Sequence, residues 1–203
     1  VTTPTATGAL PKRSEVAAVD ATAQRRRRAA VARRLLAAAP EATGSLDWDT
    51  LNAAPGWLAL SDAELMMVAR QVGALLCAAS IQLWIDGTRL SAARAALGAP
   101  FLQALLALPE AQLLPRNVAP CPRIDAAEQV APMLRTSGLG VLIASLPSGP
   151  LRRAACALLG STASTMAQAL AHTLVSRAQT LTVRAPALHT QGPATQSPEG
   201  VHA

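Results

Sequence analysis

The chain has 203 residues, 51% of them hydrophobic, and a net charge of +6, enough for one domain that buries about 70% of its unfolded surface. Its apolar fraction is rich in alanine and leucine, with one Phe, three Trp and no Tyr, which disfavours β-sheet and weakens any case for base stacking on nucleic acid. The charge is localised. Residues 12–34 hold eight of the 18 basic residues and two of the 12 acids, so this segment carries the whole excess and the remainder is balanced.

In chain order, residues 1–13 are rich in Thr, Pro and Ala and read as a disordered segment. A helix is expected from Ser14 to Ala39, ended by Pro40 because the residue before proline avoids the α region. Arg25, Arg26, Arg27 and Arg28 take successive positions 100° apart and encircle this helix, and Arg33 and Arg34 follow. The segment 14–39 therefore reads as an Arg-rich arm standing partly free of a helical body that spans 40–185. Arg33 and Arg34 also interrupt the apolar run, so no export signal is expected there.

Pro40 to Leu60 reads as a loop that Trp48 and Trp57 fold down onto the body. Ser61 with Glu64 forms a capping box. Leu65, Val68, Val72, Leu75, Leu76, Ala79 and Leu83 follow at helical spacing, which predicts a helix apolar around most of its circumference and placed centrally in a bundle. Its weakly polar window, Val72 to Ile85, is shorter than the ~20 residues of a membrane span. Asp86-Gly87 marks a turn, a short helix runs to Gly98, and another runs from Pro100 to Pro109.

Asp125 and Glu128 predict a capped helix that Pro132 kinks or shortens. Gly138-Leu139-Gly140 reads as a helix break, followed by a short buried helix over Leu139 to Leu146. Ser148-Gly149-Pro150 turns into a helix from Leu151 to Leu159, with Arg152 and Arg153 facing solvent or making a contact, and a last helix runs from Ser161 to Arg184. Residues 186–203 read as a disordered tail. The expected fold is all-α, a single compact multi-helix domain with flexible tails at both ends.

Reactive groups are sparse. His172 lies on a helix near Thr165 and Ser176 without an acid partner or nucleophile motif, and the acids cluster at helix starts, where capping accounts for them. No phosphate-binding glycine motif is present, and Cys77, Cys121 and Cys156 are far apart without metal-ligand spacing. They read as reduced thiols of a cytosolic protein, Cys77 and Cys156 as buried small hydrophobes. No catalytic residue, cofactor or metal is expected. The arginine run has three readings: a solvated arm, a contact for an acidic partner or anionic head groups, or a nucleic-acid arm with salt-dependent affinity.

The segment from Val68 to Leu108 carries a G-A-L-L helix (Gly73 to Leu76), an I-D-G turn (Ile85 to Gly87) and an A-L-G element (Ala96 to Gly98). With these features it resembles the SctK family of type III secretion sorting-platform adaptors, the YscK/PscK/OrgA group. Arg135 to Arg153, RTSGLGVLIASLPSGPLRR, is similar to the C-terminal half of that family. The Arg-rich N-terminal region aligns with no family element. The resemblance implies a mostly helical, non-enzymatic bacterial adaptor, cytoplasmic and peripheral to the inner-membrane apparatus. It would link the cytoplasmic domain of the ring protein SctD to the pod protein SctQ by protein–protein contacts. Arg25, Arg26, Arg27, Arg28, Arg33, Arg34, Arg152 and Arg153 are the expected partner-binding residues, and a nucleic-acid-binding protein using the same arm is the alternative.

Overall fold

Two helices in direct backbone contact form the centre of the structure, a computed structural model that describes residues 13–40, 46–115 and 121–184. The described residues form α1 (Arg13–Ala38), α2 (Trp48–Asn52), α3 (Asp62–Leu76), α4 (Ala78–Ile81), α5 (Gly87–Leu97), α6 (Ala99–Leu106), α7 (Ala127–Ala144), α8 (Pro150–Leu159) and α9 (Gln168–Arg184). Single 3₁₀ turns occupy Gly56–Ala59 and Glu110–Gln112, and no strand occurs among the described residues. These elements share one core, so the fold is all-α and one compact domain. Except for Arg13, which opens α1, the two end segments read as disordered lie outside the described residues.

The central pair is α3 and α7. The capping box at the start of α3 is present as expected: Glu64 N donates to Ser61 Oγ at 3.4 Å and Ser61 N donates to Glu64 Oε2 at 2.9 Å. The helix then buries an unbroken run from Gln71 to Leu76. A Cβ built on Gly73 would lie 3.1 Å from Gly138 N and closer still to the Leu134 carbonyl. One built on Gly138 would lie 2.9 Å from Gly73 N and would overlap the Ala69 carbonyl. Each glycine thus gives up about 1 kcal/mol of helix propensity and gains a backbone approach that no other residue permits. Gly73 meets the Leu134 carbonyl and Gly138 N, and Gly138 meets the Ala69 carbonyl and Gly73 N, a reciprocal contact of the two backbones.

That contact overturns the reading of Gly138-Leu139-Gly140 as a break. Both glycines lie inside one 18-residue helix whose second half, Gly138 to Ala144, is wholly buried. Pro132 does not shorten the helix: it lies inside it, in the second turn, where proline removes one backbone donor. The expected carboxylate cap is absent: Ala126 is the N-cap without a side-chain bond, and Asp125 pairs with Arg123 instead.

Around this pair, α5 and α9 pack on both central helices. Thr182 Oγ1 donates to the buried Gln71 Oε1 at 3.0 Å, tying α9 to α3. The long central helix expected through Leu83 is interrupted at Cys77, after which α4 makes a single turn. Gly98, at φ +83°, separates α5 from α6 in a conformation that side chains other than glycine rarely adopt. The last helix begins at Gln168 rather than Ser161, because residues 161–167 cross over α7, where Ser164 N donates to Gly140 O at 2.9 Å.

The N-terminal helix is not a free arm. Val31 and Leu35 are fully buried, and α1 packs on α8 and on the 3₁₀ turn at Gly56–Ala59. That turn carries Trp57, which is 1% exposed, whereas Trp48 on α2 stays 73% exposed, so one of the two tryptophans folds down. The Trp57 indole N–H is enclosed without a partner; its cost of about 1–3 kcal/mol is outweighed by burying an indole at about 25 cal/mol per Å².

Replacing Gly138 by Ala is expected to lower unfolding stability by about 3 kcal/mol or more, since a methyl must displace backbone rather than a flexible side chain. Gly87→Ala, at a position with open space around it, is expected to stay within about 0.5 kcal/mol. Urea titrations of the two variants followed by circular dichroism check both values.

Candidate partner-binding surfaces

The arginines singled out from sequence divide into those bound within the fold and those turned outward. Helical geometry puts Arg27, Val31, Arg34 and Leu35 on one face of α1, and that face meets the body. Arg27 Nη2 donates to Ala54 O at 3.3 Å, and Arg34 donates to the Leu60 carbonyl and pairs with Asp62. Asp62 is largely exposed, so the ion pair itself adds little and the carbonyl bond fixes the side chain. Arg28 and Arg33 return to carbonyls of their own helix, those of Gln24 and Ala29, and Arg25 also has a partner. Arg26 is exposed.

Arg152 and Arg153 separate likewise. Arg152 is half-buried and does not face solvent: its Nε donates to Leu146 O at 2.9 Å and its Nη2 to Ala144 O at 3.2 Å. Ala144 O is the last carbonyl of α7 and Leu146 O lies two residues beyond it, so Arg152 holds the end of that helix from α8. Arg153, one position on, is exposed.

A second surface surrounds the I-D-G turn. Asp86 caps α5: its carboxylate accepts from Thr88 N at 2.9 Å and from Thr88 Oγ1 at 2.6 Å, and these bonds hold it below the usual carboxylate range. Arg89 pairs with Asp86 at 3.0 Å, donates to Ile124 O at 3.1 Å and lies over the Trp84 ring at 5.4 Å. The turn is thereby fastened to the segment preceding α7. Ile85 projects from it 97% exposed, with Leu83 and Leu106 also exposed beside α4 and α6. Gln82 joins these elements by donating to the carbonyls of Leu105, Leu106 and Leu108 at the end of α6. A groove of about 670 Å³ adjoins the patch, lined by Gln82, Leu83, Leu113 and Leu114 among others.

The same region corrects the expected state of the cysteines. Cys77 and Cys121 are joined as a disulfide across 44 residues, with 5.2 Å between their Cα atoms. Cys77 stands at the break between α3 and α4, where the chain turns toward the segment that leads into α7. Cys156 is a free thiol, half-buried on α8. Sequence separation concealed the pairing, because the two cysteines lie 44 residues apart with several helices between them.

Chemical groups that converge elsewhere are few. His172 is exposed on α9, with Thr173 and Ser176 exposed beside it. Asp47 and Glu64 are helix caps, each held below the usual range by hydrogen bonds, from Thr50 and Ser61 respectively. Among the described residues no three His, Cys, Asp or Glu side chains are grouped to hold a metal, and no helix is long and apolar enough to cross a membrane. No family model matches the chain, and neither does any curated protein or solved structure.

In the oxidised protein a thiol reagent is expected to find Cys156 alone, and reduction is expected to release two further thiols. Closing a loop of 44 residues corresponds to about 4 kcal/mol in the chain-entropy account, so the reduced form should melt at a clearly lower temperature. Thiol counting and thermal melts with and without dithiothreitol check both statements.

Proposed function

We propose that this chain is a non-enzymatic adaptor of a bacterial type III secretion sorting platform, joining the ring protein SctD to the pod protein SctQ. The observation that carries the reading is Ile85. A large apolar side chain is held out to water on a turn fastened by Asp86, Thr88 and Arg89. Exposed apolar side chains grouped on a fixed support are the mark of a surface that binds another protein.

The residues of the family resemblance support it further, because they stand at joints of the fold. Gly73 makes the central helix contact, Asp86-Gly87 starts α5, and Gly98 separates α5 from α6. A cytoplasmic position is part of the proposal.

Co-expression with the SctD cytoplasmic domain and SctQ of the same secretion locus tests the proposal. The wild-type chain is expected to co-purify with at least one of them, and Ile85→Asp to weaken that association by about tenfold or more. Retention of neither partner by the wild type, with the platform components themselves assembled, would remove the proposal. Binding of duplex DNA that weakens steeply with salt would favour the nucleic-acid alternative instead.

A further inference from the structure

Arg70 on α3 and Arg135 on α7 line a common groove of about 370 Å³, whose remaining lining is Met66, Ala131 and Pro132. The Arg70 Nε is enclosed and has no hydrogen-bond partner, and neither Arg70 nor Arg135 belongs to any ion pair among the described residues. Two like charges facing one groove without an acid repel each other. A buried guanidinium N–H left unpaired adds a desolvation cost. An anionic group seated between them would remove both penalties.

The floor of the groove narrows the chemistry of that group. Met66 is shared with a second trough of about 390 Å³, which continues over Leu65, Leu158 and Leu159 to Ala37 and Ala38 on α1. At its far end the Arg34–Asp62 pair closes the trough. The surface is therefore an apolar channel with two unpaired cations at one end. A nucleic-acid backbone requires a cation near each of several successive phosphates, which this channel does not supply. A protein segment carrying one or two carboxylates beside apolar side chains matches it, with methionine providing an adaptable floor.

We infer that the groove between Arg70 and Arg135 is a docking site for an acidic amphipathic segment of a protein partner. Aspartate or glutamate carboxylates on that segment bridge the two guanidinium groups, and its apolar side chains lie on Met66, Ala131 and Pro132. The inference rests on the adaptor reading and adds the face and the chemistry of contact. It also moves the charged contact from the N-terminal arginines to a pair that only the fold brings together.

The test uses the full-length protein and a fluorescein-labelled helical peptide bearing leucine and glutamate on one face, read by anisotropy. A counterpart with lysine for glutamate and a duplex DNA serve as comparison probes. The Leu/Glu peptide is expected to bind, and Arg70→Gln with Arg135→Gln to weaken it by about tenfold or more, while Arg94→Gln with Arg123→Gln leaves it unchanged at the same net charge. Absence of Leu/Glu binding, equal binding by the Arg70/Arg135 double variant, or preference of the groove for DNA overturns the inference. Should the double variant fail to fold by circular dichroism, Met66→Glu decides, since an added carboxylate on the floor is expected to abolish peptide binding. The co-purification with SctD and SctQ is run in parallel: loss of partner binding in the wild type removes the adaptor reading, whereas the peptide titration judges the groove separately.

Discussion

The backbone contact of Gly73 with Gly138 is the constraint from which the other features descend. Its closeness excludes a Cβ on either side and leaves one register in which α3 and α7 can lie together. That register buries the run Gln71 to Leu76 against Gly138 to Ala144, and α5 and α9 close over the pair. Arg70 and Arg135, one on each of these helices, line a common groove. A shift of one residue along either helix would place a side chain where only a hydrogen atom fits.

A core fixed in this way leaves the periphery to present contacts. The I-D-G turn is fastened by a capping carboxylate and by Arg89, so Ile85 stays exposed without collapsing onto its neighbours. The groove at Arg70 and Arg135 is fixed for a different reason, since both residues stand on the two central helices themselves. Sites on rigid helices hold their geometry better than sites on loops. Two surfaces of unlike character, one apolar and projecting, the other a cationic trough, suit a protein that joins two partners.

Much of the local structure was legible in the sequence because it depends on neighbours in the chain. Ser61 with Glu64, Asp86 with Gly87, Gly98 with Pro100 and Gly149 with Pro150 each mark a boundary by capping or turn chemistry, and each boundary falls within a residue or two of its expected place. Features that depend on distant residues were not legible. Gly138 reads as a break until Gly73 is placed against it, and Cys77 reads as a lone thiol until Cys121 arrives. The Arg-rich helix reads as a solvated arm because composition counts every arginine as charge. Arg27, Arg34 and Arg152 instead spend their donors on carbonyls of the fold. Arg70 and Arg135 carry no local signal, since their significance lies in the groove that both of them line.

Native-state hydrogen exchange tests the central claim most directly, because it ranks the stability of each helix without any substitution. If the Gly73–Gly138 contact organises the fold, the slowest amides will lie in residues 69–76 and 138–144, exchanging only by global unfolding. Amides of α1 and α9 will then exchange through smaller openings. Slowest exchange in α1 or α9, with the central helices opening first, would contradict the account.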